Sequence, residues 1–375
     1  TMRTSGIKKS LHLALRKSFS FLPRRLRFTI FRSFVECDPR PDTRLVLKIA
    51  ETQEELEACF SLLHDAYVGS GFMKPDPSGM RVTLYHALPT TTTLCAKWDG
   101  EVVGTLSLIR ESVFGFPLQA IFDLTQVRAQ KGQIAEVSAL AIHPKFRKTG
   151  GAILFPLMKF MYDYCTSFFD TRHLVIAVNP NRIEMYESLL FFERMTENEV
   201  ANYDFANGAP AVGATLDLYR APAIFEKAYR GKRTRRNLHQ YFVKTVLPNI
   251  VVPNRRYFLT NDPVMTPALL DHFFNQKTQG FAQLDERKKC LLHSIYNLPS
   301  YASVLPPVAD VAPGQHELRR HQRYSVNCPG VFYLEIQGQT QAHKLQVVEL
   351  SEHGLQASYD ADLPLHQWGE AIIHL

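Results

Sequence analysis

The sequence predicts an α/β domain followed by a small all-β domain, on three observations. Residues 134–142 have the length and apolar character of a buried strand; a basic, glycine-containing turn over 143–152 follows, and an apolar run over 153–169 reads as a helix. A second buried strand, 173–178, comes directly after it. Beyond a proline-rich connector at 305–314 the pattern changes to short strands at 331–336, 345–350, 354–359 and 371–375.

At the start of the chain, Ile7, Leu11, Leu15, Phe19 and Leu22 recur every three or four positions among Lys8, Lys9, His12, Arg16 and Lys17, the pattern of a basic amphipathic helix. Pro23 ends it, and Leu26, Ile30 and Phe34 begin a second stripe. Residues 1–44 hold eleven Lys or Arg against Glu36, Asp38 and Asp42, a balance of +8 in a chain whose total is +7. The basic character therefore belongs to one end, and no nucleic-acid partner is expected. Such stripes lie in an anionic lipid surface, pack on the neighbouring domain, or serve as a targeting peptide. No apolar run reaches the roughly 18 residues that span a bilayer, so the expectation is a cytoplasmic protein, peripheral at the inner membrane through residues 1–34. Six scattered cysteines, without C-x-x-C or Cys/His ligand spacing, suggest neither a metal site nor a disulfide framework and fit a reducing compartment.

Residues 37–44, with two prolines, read as a linker, 45–49 as a first strand and 51–67 as an amphipathic helix. Apolar runs at 94–98 and 101–109 flank Asp99-Gly100, a hairpin signal. Residues 267–301 read as one or two helices closing the domain. The expected division is 1–44 basic segment, 45–304 α/β domain with a helical extension, 305–314 linker and 315–375 all-β domain.

The glycines of the 143–152 turn let the backbone approach an anion closely, the free N–H groups of the helix start point at it, and Arg147 and Lys148 add charge. The pattern Arg147-x-x-Gly150-x-Ala152 resembles the pyrophosphate loop of the GNAT acyltransferases, and Asn179-Pro-Asn-Arg-Ile-Glu-Met-Tyr186 resembles that family's Asn-to-Tyr helix. Residues 79–93, Gly104-Thr-Leu-Ser-Leu-Ile109, Ala135-Glu-Val-Ser-Ala-Leu-Ala141 and Phe273-Phe-Asn-Gln-Lys-Thr278 together resemble the long-chain N-acyl amino acid synthases, GNAT-fold relatives of the acyl-homoserine-lactone synthases. The resemblance covers about residues 45–305 and implies an acyl-phosphopantetheine donor, carried by acyl carrier protein or CoA, and an amino acid acceptor. It places the pantetheine arm along the strand backbone at Leu140 and Ile142, the phosphate on Arg147, Lys148, Thr149, Gly150, Gly151 and Ala152, and a donor contact at Asn179.

Amide formation from a thioester needs a neutral amine, a polarised carbonyl and a proton for the leaving thiolate. Glu136 is the carboxylate placed to take the amine proton, or alternatively to orient substrate or hold an ion pair. Tyr186 matches the family's helix tyrosine near the sulfur, the alternative being plain core. Two departures bear on the pocket: Pro156 is expected to kink the helix after the loop, and Leu190-Phe191-Phe192 replaces the usual Leu-Gly-Phe. Nine Lys or Arg between Lys227 and Arg256, against the single acid Glu226, would steer an acidic carrier protein; the alternatives are a solvated helix face or a nucleic-acid patch.

In the last segment, Arg319-Arg-His-Gln-Arg323 and Glu349-Leu-Ser351-Glu-His-Gly354 resemble the two signatures of the PilZ domain, which implies cyclic di-GMP as a ligand. Arg319, Arg320, Arg323, Glu349, Ser351 and Gly354 are the implied binding residues, since guanidinium groups pair bidentately with guanine edges and phosphates. Glu349 stands where the pattern has Asp or Asn, its carboxylate one methylene further out. About four strands of a six-stranded barrel fall within the numbered residues. The function expected is acyl transfer from acyl carrier protein to an amino acid, regulated by cyclic di-GMP. The rivals are an acyl-CoA-dependent GNAT acting on another amine, and a non-catalytic cyclic di-GMP receptor.

Overall fold

The computed structural model describes residues 19, 21–196, 199–203, 206–253, 264–309, 323–359, 363 and 367–375. Its elements in chain order are α1 (Arg24–Ser33), β1 (Leu45–Ile49), α2 (Gln53–Gly69), β2 (Thr91–Trp98), β3 (Glu101–Arg110), β4 (Gln133–Ile142), α3 (Leu154–Phe168), β5 (Thr171–Val178), α4 (Pro180–Leu190), β6 (Glu193–Arg194), β7 (Val200–Tyr203), β8 (Ala209–Asp217), α5 (Ala221–Tyr229), α6 (Glu286–Ile295), β9 (Arg323–Ile336), β10 (Gln339–Ser351), β11 (Gly354–Ser358) and β12 (Gly369–Ile373).

The first eight strands form one sheet in the order β1-β2-β3-β4-β5-β8-β6, with β7 also on β8. All pairs are antiparallel except β4 with β5, joined through the crossover helix α3. Alternation along the strands divides the core. Leu94, Leu106, Leu108, Ala135 and Leu174 pack with α3, α4 and α5 on one face. Cys95, Ala139 and Ala141 pack with α2, Phe273 and Phe274 on the other. Thr52 caps α2 by accepting from the Glu55 N–H, and Asp99-Gly100, both at positive φ, closes the β2–β3 hairpin.

Three features differ from the sequence expectation. Pro156 does not kink α3, because the helix starts at Leu154 and Pro156 lies in its first turn, where N–H groups have no intrahelical partner. The segment 193–217 adds strands that patterning did not flag; β8 is short of large side chains, and its marker is Asn207-Gly208, both at positive φ, ahead of it. In the last segment β9 and β10 run longer than expected, while β11 and β12 lie within two residues of their expected bounds. Pro329 lies inside β9, its carbonyl accepting from His374 N–H where the β12 pairing ends, so its missing N–H breaks no rung with β10. These strands form an open four-stranded antiparallel sheet in the order β11-β10-β9-β12.

The second basic stripe docks on the enzyme-like domain. Arg24 pairs with Glu187 and Arg27 with Glu184, both on α4, and Arg32 donates to the Ser188 carbonyl at 2.9 Å. Phe191, which stands where the family pattern has Gly, takes the left-handed conformation (φ 60°) that glycine adopts without strain. Its ring is held 5.4 Å from the Arg32 guanidinium and 5.3 Å from Phe225, so packing between α1 and α5 offsets the backbone cost. Residues 1–18 lie outside the described ones, and no described helix is long and apolar enough to cross a membrane.

Glu187 is buried and also accepts from Arg194 at 2.7 Å. Glu187→Ala removes the shared anchor of Arg24 and Arg194, and because both arginines reach solvent it is expected to cost about 1 kcal/mol, read as a lower urea midpoint with α1 more exposed to protease.

Candidate active site

β4 is bound to β3 along most of its length, down to Gly104↔Ile142, but its pairing with β5 ends at Glu136↔Val175. Past that point β5 continues on β8, while residues 137–142 have no strand on their other edge. A bulge accompanies the parting: Ala139 and Leu140 lie opposite the single Leu106, and Ala139 has φ 53°. A wedge results, with unpaired main-chain N–H and C=O groups along one wall. Leu140 and Ile142 are on that wall, their side chains packed on the α3 face of the core.

At the mouth of the wedge, Gly150 and Gly151 both have positive φ, and a Cβ on Gly151 would lie 2.4 Å from the Phe155 ring. The N–H groups of Gly150, Gly151 and Ala152 donate to no described residue. Arg147 donates from Nε to the Ile142 carbonyl (2.8 Å), and the Thr149 hydroxyl to the Phe146 carbonyl (2.6 Å), so both side chains shape the loop. Lys148 is exposed. Free N–H groups at the start of α3 make this an anion cradle. Asn179, at the end of β5, caps α4 by accepting from the Asn181 N–H at 3.1 Å.

At the apex lies Glu136, 2% exposed, its Oε2 accepting from the Leu118 N–H at 3.2 Å. Burial pushes its pKa up to about 8, and that hydrogen bond only partly opposes the shift. The phenols of Tyr67, Tyr85 and Tyr203 lie within electrostatic reach of Glu136. Tyr186, on α4, is buried with its pKa pushed up to about 12, and lies within electrostatic reach of Tyr67. His86 accepts the Thr83 N–H on Nδ1 (3.0 Å), so its proton sits on Nε2, 3.3 Å from the Ser107 hydroxyl. With Nε2 donating to Ser107, the imidazole has no free lone pair facing that hydroxyl, and burial pushes its pKa down.

On the α3 face, Met158, Met161, Leu174, Leu190, Leu216 and Phe225 line a narrow apolar cleft of about 40 Å³, one helical turn along α4 from Tyr186. Exposed Lys227, Arg230, Lys232 and Arg233 lie on and after α5. Arg235 pairs with Glu36 at 3.0 Å and Asp38 at 3.3 Å, and Arg236 donates to the Ser33 carbonyl. Tyr241, just beyond, packs 6.4 Å from Phe155 at the start of α3. Among the described residues no three His, Cys, Asp or Glu side chains form a metal-binding group.

In the four-stranded sheet, the β9–β10 register sets Arg323 opposite Ser351, and the Ser351 hydroxyl donates to the Gly354 carbonyl at 3.2 Å. Glu349 follows a bulge in β10. Arg319 and Arg320 lie outside the described residues.

Residues 58–217 match the family model of the N-acyl amino acid synthase FeeM. The N-terminal part of the chain has a GNAT-like α/β acyltransferase fold, with the one parallel pair parting after a glycine loop and crossover helix. Among solved structures the chain is similar to FeeM, an N-acyl amino acid synthase from uncultured soil microbes, at 23% identity over 48% of this chain and 94% of that one (TM-score 0.41). It is also similar to the CoA-dependent acyl-homoserine lactone synthase BjaI, at 17% identity over 56% and 95% of the two chains (TM-score 0.39), and to the synthase LasI, at 14% over 56% and 98% (TM-score 0.39). No curated protein matches the chain. The FeeM match spans Tyr67, Arg81, Tyr85, His86 and Tyr203, site residues that sequence reasoning passed over; the signal that was available is the distinctive 79–93 segment, to which no role was given.

A buried acid with a raised pKa keeps its proton in the folded state up to about pH 8, whereas the unfolded chain releases it near 4.5. Stability contributed by that proton is present at low pH and is lost as pH rises from about 4.5 through 8. Glu136→Gln is therefore expected to match the parent at pH 4 and to exceed it by about 2–3 kcal/mol at pH 7, measured by urea unfolding across pH.

Proposed function

We propose that this chain is an N-acyltransferase that moves a long acyl group from the thioester of an acyl carrier protein to the amine of an amino acid. The observation that carries the reading is the wedge beyond Glu136↔Val175, with a buried carboxyl of raised pKa at its apex and an anion cradle at its mouth. The pantetheine arm adds to the free edge of 137–142 by main-chain hydrogen bonds, and its phosphate rests on the N–H groups of Gly150, Gly151 and Ala152. The neutral amine attacks the thioester carbonyl; a C–N bond forms, the C–S bond breaks, and Glu136 accepts the amine proton. A phenol held near pKa 12 does not surrender its proton to a thiolate of ordinary basicity near 8.5, so Tyr186 assists as a hydrogen-bond donor to the departing sulfur and solvent completes the thiol.

The apolar lining of the cleft beside α4 suits an acyl tail that enters and widens it, since each buried CH₂ contributes ~0.8 kcal/mol. The exposed cations on and after α5, in the segment that leads to Tyr241 beside the start of α3, favour an acidic carrier protein over free CoA. The segment 315–375 is the proposed cyclic di-GMP receptor, a reading supported by the register that sets Arg323 beside Ser351, and ligand binding there tunes the transferase through the 305–314 linker. With Arg24, Arg27 and Arg32 engaged on α4, contact with an anionic membrane falls to the stripe that begins at Ile7.

Incubation with long-chain acyl carrier protein and the amino acids, followed by mass detection, should yield N-acyl amino acids, with long-chain acyl-CoA a poorer donor. Glu136→Gln should lower the rate by about 10²–10⁴-fold and abolish its rise through pH 8. Absence of product with either donor would leave the receptor reading. In the same assay Leu216→Trp, which fills the cleft, should move the preferred chain about two carbons shorter, since longer tails forfeit ~0.8 kcal/mol per CH₂.

A further inference from the structure

The sheet face that holds Glu136 carries polar groups that proton transfer alone does not use. Thr91 shares a cross-strand row with Ile109 and Glu136, and its hydroxyl is buried without a hydrogen-bond partner among the described residues. Above this row stands α2, with Phe60 and Tyr67. Arg81 joins it from the segment before β2: its backbone N–H donates to the Phe60 carbonyl at 3.0 Å, and its guanidinium lies 4.3 Å over the Tyr67 ring. Arg81 is only 9% exposed. The Phe60 ring lies 4.7 Å from that of His86, whose Nε2 is 3.3 Å from the Ser107 hydroxyl, two residues along β3 from Ile109, so the segment bearing Arg81 stands over the sheet face that holds Glu136, and Tyr67 lies within electrostatic reach of both charges.

A site with a proton-accepting carboxylate at one end and a buried guanidinium at the other matches a molecule with an amine and a carboxylate on neighbouring atoms. We propose that Arg81 is a specificity-determining residue that binds the α-carboxylate of the acceptor while Glu136 faces its amine, directly or through one water. This deepens the N-acyltransferase reading and rests on it. The planar fork of arginine pairs with a carboxylate bidentately and fixes the direction of the amine, which a lysine does not do. The Thr91 hydroxyl supplies a further polar contact to the same acceptor. A plain amine forfeits those charge-assisted bonds and is rejected.

The test supplies parent protein, Arg81→Gln and Arg81→Lys with long-chain acyl carrier protein and two acceptor sets: the amino acids, and the amines they give on decarboxylation. KM and kcat are measured for the best acceptor of each set, and donor binding is titrated separately. The parent should acylate amino acids in clear preference to amines. Arg81→Gln should raise KM for the amino acid about ten- to a hundredfold, the scale of a lost charge-assisted hydrogen bond, with kcat changed less and donor binding unchanged. Arg81→Lys should recover part of that loss. Equal use of amines and amino acids by the parent, or an Arg81→Gln enzyme with unchanged KM or with kcat lowered alike for both sets, would overturn the assignment. If Arg81→Gln no longer binds donor, Arg81→Lys decides by the same KM comparison. A parent that yields no product from any acceptor sinks the acyl-transfer reading itself, and the role of Arg81 with it.

Discussion

Everything functional in this chain depends on β4 losing its second neighbour. A strand inside a sheet has its main-chain groups satisfied on both sides, and β4 meets that condition only as far as Glu136↔Val175. The bulge at Ala139 and Leu140 turns the strand away from β5 while β3 holds its other edge on both sides of the bulge, so the opening costs little pairing there. Both strands point toward the loop that begins α3, which puts the anion cradle at the open end of the wedge and Glu136 at its closed end.

The closed end is expensive for the fold. A carboxyl that is 2% exposed is held by burial away from its ordinary acidity, and the unfolded chain gains from ionising it. The same burial suits it to act as a base near neutral pH, so the feature that destabilises the domain is the one the proposed chemistry uses. The docked helix α1 counters on the opposite face: its arginines satisfy Glu184 and Glu187 on α4 and cover Phe191, steadying the helix that carries Tyr186.

How much of this was legible in the sequence depends on the range of the interaction. Signals within a few residues, such as Asp99-Gly100, the glycine loop and the strand before it, appear at their positions, and Glu136 sits in the strand read as buried. Pro156 was misread because patterning does not fix where a helix begins, and one turn separates a tolerated proline from a disruptive one. The proposed acceptor side is flagged by the 79–93 segment, which holds Arg81 and Thr91, but the spacing cannot assemble it, because Tyr67 on α2 and Tyr203 on β7 come from distant parts of the chain. In the last segment the register brings Arg323 to Ser351, an adjacency the spacing of the two signatures could not state.

Hydrogen–deuterium exchange with and without a non-hydrolysable long-chain acyl-pantetheine analogue tests the wedge most directly. Binding should slow exchange of the amides over residues 137–142, which face an edge with no strand partner, and of those at Gly150, Gly151 and Ala152, while amides of β4 before Glu136 stay as they are. Protection confined to other segments, with 137–142 exchanging as fast as in the free protein, would contradict the account.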